Sequence, residues 1–332
     1  MNTSKSVELA VVIVNYRTPS LVIDCLDSLL PEISEINAEI VVVDNASGDN
    51  SLEEIEYWLM GRVEKERSVV KLLQSEVNGG FSAGNNIGIR AVTSKYYLLL
   101  NSDTIVRPGA IEIMLHKMRQ RPEIGALGPR LEFLDSTPQI SAFRKRTALS
   151  ELIRGAELSL VTRLLKNKKV PIEIDDINSG IEWVSFACVL IRSEVVDKIG
   201  LMDEGFFMYF EDIEYCNRMR AAGFKIEQEA SARVVHLRGG TASVKSDLAQ
   251  RNRLPRYFYE SRARYFSILG GKPKLIAANI AWIFGRIIRT VKLIKGFGAL
   301  TSIPSEWKDI WIGLNKSHKY ETKSNSRWQS QA

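Results

Sequence analysis

The first third of the chain alternates continuous apolar runs with segments that carry helical spacing. The apolar runs are short and rich in β-branched residues, which is typical of parallel strands buried on both faces. This order predicts an α/β fold with a mostly parallel central sheet and helices on both faces. The predicted strands are 9–16, 39–47, 69–74 and 96–103, and the predicted helices are 20–30, 51–60, the end of the glycine-rich segment 78–92 and one that starts at Pro108.

The pattern fades from about Leu134 to Gly180, where only an amphipathic helix over 149–165 is expected. Predicted elements resume with a strand-like run. An aromatic and acidic segment follows, whose helical part ends at Gly223, and then a short strand. Beyond residue 245 we expect helices rich in arginine and aromatic residues, then a disordered tail. The strand-like run, the aromatic and acidic segment and the short strand are 182–193, 206–223 and 232–237. We predict one domain over 1–244, with halves of about 1–133 and 134–244, and a helical basic extension over 245–332.

Composition and charge narrow the choice of partners. With 332 residues, 45% apolar and 25% charged, the chain can fold around a large core. Its three cysteines form no CxxC pair, which argues against a disulfide scaffold or a zinc finger and indicates a reducing compartment. Residues 245–332 hold 17 Lys and Arg against 5 Asp and Glu, whereas the remainder holds 28 against 34. The basic block indicates an anionic partner, with a solvated surface as the plain alternative.

The segment 272–295 predicts an amphipathic helix, because apolar residues recur at helical spacing among cations and no acidic residue intervenes. Arg286 and Arg289 oppose a membrane span, since each costs about 2.5–3.5 kcal/mol at a helix centre. The N-terminus also lacks a signal peptide pattern. We expect the helix to lie in a membrane interface with Trp282 at the headgroup level, or else to pack on the main domain. No nucleic-acid partner is expected, because residues 1–244 are acidic and carry no recognition motif.

Polar residues cluster at the predicted carboxyl ends of the strands, where ligands bind in open α/β sheets. Asn15 ends the first strand, Asp44-Asn45 the second and Asn101-Ser102-Asp103 the fourth. The Asp103 carboxylate could hold a divalent cation together with a diphosphate, although Asn-Ser-Asp is also good turn chemistry. Asp44 could accept a hydrogen bond from the ring N–H of uracil or thymine, or serve as a cap or loop residue.

Three further features could complete such a site. Residues 78–86 are glycine-rich, so their backbone could approach a ligand closely and present a helix N-terminus to phosphate, although they do not match GxGxxG. Glu211-Asp212 follows an aromatic run that could raise the pKa of a carboxylate towards that of a general base; an ordinary acidic helix start is the alternative. His236 could complete a metal site with Asp103 or be structural.

Taken in this order, the segments resemble the family 2 inverting glycosyltransferases with the GT-A fold, and within them the bacterial rhamnosyltransferase-like branch. The resemblance covers roughly residues 8–243, with one departure at Phe186-Ala187, where the family usually has a small residue. It is carried by VVIVNY, VVVDNAS, NGGFSAGNNIG, LLLNSD, WVSFACVLIR, GFFMYFEDIEYCNRMRAAG and the H-x-x-G-x-T segment at 236–241.

The resemblance implies a role for each matching residue. Asn101-Ser102-Asp103 matches the DxD metal motif with asparagine in first place, so Asp103, with His236, would hold Mg²⁺ or Mn²⁺. Asp212 matches the catalytic base of the xED motif, and Asp44 the aspartate that contacts the base. Trp183 matches an acceptor-site aromatic residue, and we predict Glu211 as a second residue that binds the acceptor. The predicted contacts to the nucleotide sugar are Asn15, Asp44, Asn45, Gly79, Gly80, Phe81, Asn85, Asn101 and Ser102.

The resemblance also implies the reaction: an inverting sugar transfer from a nucleoside diphosphate sugar to a glycan or polyprenyl-linked glycan in cell-surface polysaccharide synthesis. dTDP-rhamnose is the first choice of donor and UDP-hexoses come next. Residues 1–133 would bind the donor and 134–244 the acceptor. The expected location is cytoplasmic, peripheral on the inner face of the plasma membrane, and self-association stays open. Two alternatives are a sugar nucleotidyltransferase, which would normally carry a basic glycine-rich loop where this chain has NYRTPS, and a non-catalytic membrane-associated binding protein of the same fold.

Overall fold

An eight-stranded mixed sheet forms the centre of the structure, a computed structural model that describes residues 6–174, 180–237, 244–294 and 303–316. The strands are β1 Val7–Asn15, β2 Ala38–Asp44, β3 Val70–Gln74, β4 Ser94–Asn101, β5 Thr104–Val106, β6 Ile124–Glu132, β7 Ala142–Phe143, β8 Trp183–Val184, β9 Cys188–Arg192 and β10 Lys225–His236. The helices are α1 Pro19–Leu29, α2 Ser51–Met60, α3 Glu64–Ser68, α4 Gly80–Ala91, α5 Ala110–Gln120, α6 Ala148–Ala156, α7 Ser159–Leu164, α8 Ser193–Ile199, α9 Glu211–Ala221, α10 Val244–Gln250, α11 Arg256–Ile294 and α12 Glu306–Asp309. The main sheet has the order β3-β2-β1-β4-β9-β6-β10-β5, and β7 pairs with β8.

The N-terminal half of the main sheet is parallel, and the predicted α/β fold is confirmed. β1 pairs in parallel with β2 and β4, and β2 pairs in parallel with β3. In this register Asn15 lies opposite Asp44, and Val14 lies opposite Asn101. The polar ends of three predicted strands therefore meet at one edge of the sheet.

The other half of the sheet mixes directions and contains strands that the sequence did not predict. β9 runs antiparallel between β4 and β6, and β10 runs parallel to β6. β6 was missed because glycine and proline are depleted in strands. The structure accounts for the glycines: a Cβ on Gly125 would lie 2.6 Å from the Cβ of Phe224, and one on Gly128 would lie 3.0 Å from that of Val184. Pro129 lies beyond Leu127, the last β6 residue that pairs with β9.

Helices cover both faces of the sheet, so the apolar strands are buried on both sides. Ala10 and Val12 of β1 belong to the core beneath α4, α9 and α11, whereas Leu9, Val11 and Ile13 belong to the core beneath α1, α2 and α5. This alternation explains why the strands are continuous apolar runs. Because both faces are closed, the carboxyl edge of the sheet is where buried polar groups gather.

The long helix α11 is broken at Gly270 and Gly271, where Gly271 has a φ of 73°. We call residues 256–269 the proximal segment and 272–294 the distal segment. The distal segment crosses α6 at close range: a Cβ on Gly155 would lie 2.2 Å from the carbonyl oxygen of Trp282, and one on Gly285 would lie 2.4 Å from that of Leu152. Trp282, which the sequence analysis placed at lipid headgroups, is buried instead.

Many basic residues of the C-terminal extension form ion pairs with the protein itself. Arg262 is buried against Glu151, and Arg286 and Arg289 both pair with Glu157. The guanidinium groups of Arg286 and Arg289 are therefore bound by a carboxylate of the same chain. Among the described residues, no helix combines the length and apolarity needed to span a bilayer. These ion pairs join residues on both sides of residue 244, and the domain boundary there stays a prediction.

Some predictions lie outside the described residues. They concern residues 238–241 of the H-x-x-G-x-T segment, the end of the basic helix at residue 295, and the tail beyond residue 316. The side chains of residues 244–246 and 291–294 are likewise not described.

Candidate active site

Two neighbouring strand ends supply a buried polar cluster. The Asn15 Nδ2 donates to Asp44 Oδ1 at 2.7 Å and to Ser47 Oγ at 3.2 Å. The backbone N–H of Ser47 donates to Asp44 Oδ2 at 3.1 Å, and its hydroxyl donates to Oδ1. Asp44 is therefore held in one orientation with 2% of its surface exposed. Because a carboxylate oxygen can accept two hydrogen bonds, Oδ2 retains the capacity for one more.

The start of α1 and the end of β4 close the same edge. The backbone N–H of Thr18 donates to Asn15 Oδ1 at 3.2 Å, and the Thr18 hydroxyl lies 3.4 Å from that of Ser102. Asn101 is anchored by its backbone N–H, which donates to the carbonyl oxygen of Ala187 at 2.9 Å. Ser102 is buried and Asn101 is half-buried. The predicted nucleotide-sugar contacts at the ends of β1, β2 and β4 are thus neighbours.

The glycine-rich segment is tied to both the strand edge and a loop before α9. Asn45 Nδ2 donates to Asn78 Oδ1 and to the carbonyl oxygen of Gly80, both at 3.0 Å. The backbone N–H of Phe81 donates to the carbonyl oxygen of Phe207 at 2.7 Å. Gly80 has a φ of +83°, and a Cβ there would lie 1.9 Å from that same oxygen. Glycine at position 80 therefore permits a close backbone approach to Phe207.

The other glycines of this segment serve the packing of α4. A Cβ on Gly84 or Gly88 would lie 2.8 Å from Val14 or 2.3 Å from Val12, respectively, so the glycines let α4 lie directly on β1. Asn85 is buried, and its Nδ2 donates to the carbonyl oxygen of Phe81 at 3.0 Å. The predicted ligand contacts of Gly79, Gly80, Phe81 and Asn85 stay predictions.

Asp103 and His236 meet where β4 and β10 end. Asp103 Oδ1 lies 3.5 Å from His236 Nε2, and both residues are buried. The backbone supports this meeting, because His236 is paired with Thr104 and the N–H of Leu237 donates to the carbonyl oxygen of Asp103 at 2.9 Å. His236 Nδ1 has no hydrogen-bond partner among the described residues. The Asp103 carboxylate and the His236 Nε2 that faces it suit a divalent cation that takes its other ligands from a diphosphate and water.

The described residues contain no group of three or more His, Cys, Asp and Glu that could hold a metal by itself. Two protein ligands are nevertheless enough for Mg²⁺-type sites, in which one or two carboxylates and substrate phosphates complete the shell. The pair therefore fits the metal expected from the sequence.

The Glu211-Asp212 pair opens α9 directly after a strained turn. Tyr209 and Phe210 have φ values of 69° and 71°, in the left-handed region that bulky residues rarely adopt. Such strain costs on the order of 1–3 kcal/mol per residue and is concentrated at functional sites. Burial, and then the charge of Asp212, raise the pKa of Glu211 well above its ordinary value. Asp212 is half-buried, and its Oδ1 accepts the backbone N–H of Ile213 at 2.8 Å.

Contacts from two helices hold the loop that carries this pair. Asn86 of α4 exchanges hydrogen bonds with the backbone of Met202, at 2.9 and 3.1 Å. Arg264 of the proximal segment makes a two-pronged ion pair with buried Asp203, at 2.8 and 2.9 Å. Ser261 donates to the carbonyl oxygen of Met208 at 3.0 Å. The loop is thus fixed from outside, which is what a strained turn requires.

The predicted acceptor residue Trp183 is buried and already occupied by protein contacts. Phe143 stacks on its ring at 4.0 Å, and its Nε1 donates to the carbonyl oxygen of Arg144 at 2.9 Å. Trp183 therefore positions the segment 142–146. Arg146 of that segment lies 5.1 Å over the ring of Phe210, which brings a cation beside the Glu211-Asp212 turn.

Sequence reasoning missed several residues that build the site. Ser47 and Asn78 position Asp44 and Asn45, and Asn86 and Arg264 hold the loop before α9. The sequence did offer a signal for Ser47 and Asn78, because both are polar and lie within three positions of a predicted site residue. Arg264 gave no local signal, because its partner Asp203 lies 61 positions away.

Comparisons with known proteins identify the family and the fold of this chain. The family model described as "Glycosyltransferase like family 2" matches residues 7–254. A low-salt glycan biosynthesis hexosyltransferase of Haloferax volcanii is 27% identical over 240 residues, covering 69% of this chain and 67% of that protein. The N-acetylglucosaminyl-diphospho-decaprenol L-rhamnosyltransferase of Mycobacterium tuberculosis is 26% identical over 188 residues, covering 50% of this chain and 58% of that protein.

A solved structure shares the fold. It is a mannosyltransferase from Pyrobaculum calidifontis in complex with GDP-Man and Mn²⁺, which superposes with a TM-score of 0.55 at 15% identity. The match covers 90% of this chain and 77% of that one. The GT-A fold expected from the sequence is thereby confirmed.

Proposed function

We propose that this chain, which belongs to the glycosyltransferase-like family 2, transfers a sugar from a nucleoside diphosphate sugar to a hydroxyl of a glycan acceptor, with inversion at the anomeric carbon. The observation that carries the proposal is the meeting of Asp103 and His236 at the strand edge that also holds Asp44. A second carboxylate pair, Glu211-Asp212, is held by the strained turn beside the glycine-rich segment. This combination supplies a nucleotide site, a metal site and a base.

The donor would lie across the strand ends. Asp44 Oδ2, which already accepts the Ser47 N–H, would accept the ring N–H of a thymine or uracil. Asn101 and Ser102 would lie along the diphosphate. dTDP-rhamnose is the first candidate, in keeping with the rhamnosyltransferase relative, and UDP-hexoses are the second, in keeping with the hexosyltransferase relative.

Asp103 and His236 would hold Mg²⁺ or Mn²⁺ together with the diphosphate. When bound, the cation would neutralise the charge that develops on the departing nucleoside diphosphate. The protein's own contribution is to present one carboxylate and one imidazole from the ends of two strands, with little surface exposed to water. The mannosyltransferase complex with Mn²⁺ supports the choice of metal.

Asp212 would act as the general base. Its carboxylate would take the proton from the acceptor hydroxyl, which then attacks the anomeric carbon from the face opposite the diphosphate. The raised pKa of Glu211 assists this role, because a proton kept on Glu211 removes a like charge from beside Asp212. A single displacement of this kind inverts the anomeric configuration.

The test of the base is Asp212→Asn. We expect this variant to fold and to bind nucleotide, and to lose transfer by about 10²–10⁴-fold, the usual contribution of a general base. Asp197→Asn, which changes an exposed aspartate of α8, is the matched control and should transfer normally. Near-normal transfer by Asp212→Asn would remove Asp212 as the base.

The donor and the reaction class can be tested separately. Purified protein would be screened for thermal stabilisation by dTDP-rhamnose, UDP-glucose and GDP-mannose, each with and without Mn²⁺. We expect the largest metal-dependent stabilisation with dTDP-rhamnose. Two activity assays separate the reaction classes. Release of pyrophosphate from a nucleoside triphosphate would indicate a nucleotidyltransferase. A chain that does not hydrolyse the donor in the presence of Mn²⁺ would indicate a non-catalytic binding protein.

The proposed acceptor is a glycan of a cell-surface polysaccharide pathway, carried on a polyprenyl lipid. An acceptor of that kind requires an enzyme that works at the inner face of the plasma membrane. The polyprenyl-linked substrate named for the mycobacterial relative supports this choice. The domain division at residue 244, with donor and acceptor halves before it, is part of the same proposal.

A further inference from the structure

The distal segment of α11 is apolar on both sides, and only one side is covered by described residues. Leu275, Ala278 and Trp282 are buried on the side that faces α6. A helix that is apolar all round is normally covered all round. The uncovered side carries a line of large apolar residues at helical spacing, Ile276, Ile280, Phe284 and Ile287, which are 37%, 57%, 56% and 53% exposed.

The short helix α7 adds apolar side chains close to this helix. Leu160 and Leu164 are 54% and 74% exposed. Glu157, two residues before α7, pairs with Arg286 and Arg289 of the distal segment. This ion-pair cluster brings the start of α7 next to the end of the apolar line.

Both elements carry cations and lack acidic residues. Neither 158–169 nor 272–294 contains an aspartate or glutamate. Among the described side chains, five of their cations are exposed: Lys272 and Lys274 of the distal segment, and Arg163, Lys166 and Lys168 in and after α7. Apolar side chains bordered by cations are what an anionic lipid surface binds.

We infer that α7 and the distal segment of α11 together form a docking surface for an anionic membrane, which we call the α7–α11 surface. Its apolar side chains enter the boundary between headgroups and acyl chains, and its exposed lysines and Arg163 contact lipid phosphates. A second copy of this chain fits less well, because a two-fold interface would bring the same cations face to face. The segments of this chain that are not described nearby, 295–302 and 317–332, offer few large apolar side chains: Phe297, Leu300, Tyr320 and Trp328.

The same helix joins this surface to the candidate active site. Tyr257 and Phe258 of the proximal segment pack on Tyr209 and Phe210, the strained residues before Glu211. A membrane bound at the distal segment would therefore lie one helix segment away from the base. The inference goes beyond the proposed transfer reaction, and membrane binding can be measured without donor or acceptor.

The experiment is co-sedimentation of the full chain with vesicles of phosphatidylcholine containing roughly one quarter phosphatidylglycerol, at low salt. The test variant is Ile280→Glu with Phe284→Glu. Its matched control is Tyr57→Glu with Met60→Glu, which changes two exposed apolar residues of α2 by the same charge. Circular dichroism, thermal melting and light scattering check folding and oligomeric state, and donor hydrolysis checks the active site.

We expect the unchanged chain and the α2 variant to pellet with anionic vesicles, and the α11 variant to bind at least about tenfold more weakly while it still hydrolyses donor. Four outcomes would overturn the inference. In the first, the unchanged chain stays in the supernatant. In the second, the α2 and α11 variants lose vesicle binding equally. In the third, the unchanged chain binds no vesicles and forms a dimer, and the substitutions in α11 break that dimer. Binding that requires removal of residues 317–332 would likewise assign the surface to the chain's own tail.

Discussion

At the scale of single residues, Glu211 is a carboxyl group that the fold keeps largely away from water. It is buried, and its Oε2 has no hydrogen-bond partner among the described residues. Burial and the Asp212 charge raise its pKa, so the folded protein holds this proton more tightly than the unfolded chain does. A group of this kind stabilises the fold fully below its unfolded pKa, and that stability is lost as pH rises through the folded pKa.

The prediction is a pH-dependent difference between the unchanged protein and Glu211→Gln. As pH rises from about 4.5, the unchanged protein should lose stability relative to the variant, because only it must ionise a buried carboxyl group. Thermal melting of both proteins across the pH range measures this difference. Asp197→Asn should follow the unchanged protein, and a parallel pH profile for Glu211→Gln would contradict the raised pKa.

His236 offers a second test at this scale, because it is buried and its Nε2 lies 3.5 Å from the Oδ1 of Asp103. If that environment serves a metal site, His236→Ala should lose most of the Mn²⁺-dependent part of thermal stabilisation by dTDP or UDP. The stabilisation by nucleotide without metal should remain, since Asp44 is unchanged. His116→Ala, on the exposed face of α5, is the control. Full Mn²⁺-dependent stabilisation of His236→Ala would assign the histidine a structural role.

At the scale of elements, the start of α4 and the loop before α9 are joined at one backbone contact. Gly80 lies so close to Phe207 that a side chain at position 80 must displace the loop, and it also has a positive φ. Only glycine meets both conditions without strain. The contact couples the donor edge of the site to the turn that carries Asp212.

We predict that Gly80→Ala lowers kcat by about 10²-fold, because a displacement near 1 Å at a catalytic group has effects of that size. KM for the donor should change less than kcat, since Asp44 is held by Asn15 and Ser47 and does not depend on the Phe207 contact. Steady-state kinetics with varied donor separates the two constants. Gly61→Ala, where a Cβ would meet only the Trp58 carbonyl oxygen at 3.4 Å, is the control. Equal losses in both variants, or a change confined to KM, would argue against the coupling.

The parallel strands could be predicted because each has one local cause, an apolar run that ends in polar residues. β6 could not, because Gly125 and Gly128 are determined by Phe224 and Val184, which are distant in sequence. The expected helix 149–165 is interrupted at Glu157, which has a φ of 45° and separates α6 from α7. That break depends on α11, whose arginines bind the Glu157 carboxylate.

The strand-end part of the site was predictable for the same reason, whereas its supports were not. Asp103 and His236 follow apolar strands, and the register brings them together. Asn45, Gly80 and Trp183, whose ligand contacts stay predictions, also contact protein neighbours: Asn78, Phe207 and Phe143, respectively. Such contacts depend on loops whose course no local pattern specifies.

At the scale of the whole molecule, a buried charge network joins the C-terminal helices to the rest of the protein. Glu151 of α6 accepts hydrogen bonds from Arg154 and Arg262, and Arg154 and Arg286 both pair with Glu306 of α12. Arginines of the basic extension thus neutralise acidic residues in α6 and in the connection between α6 and α7. This is why a segment that looks like a separate basic extension in the sequence packs on α6 in the structure.

The network predicts that Glu151→Gln is strongly destabilising. Burial alone would raise the pKa of Glu151, but Arg154, Arg262 and Arg146 lower it to about 2. Removing the charge leaves buried Arg262 without its counterion, which costs about 3–5 kcal/mol for buried pairs. Urea unfolding near neutral pH should show this loss, whereas Glu56→Gln, on the exposed face of α2, should stay within about 0.5 kcal/mol of the unchanged protein.

The pH dependence of that loss provides a further check on its cause. A carboxyl group with a lowered folded pKa stabilises the protein above its unfolded pKa of about 4.5, and this contribution is lost as pH falls through the folded value of about 2. The difference in unfolding free energy between the unchanged protein and Glu151→Gln should therefore be largest near neutrality and should shrink below about pH 4.5. A difference that stays constant down to about pH 3 would mean that the substitution disturbs packing, and that the charge of Glu151 is not what attaches α11 to α6.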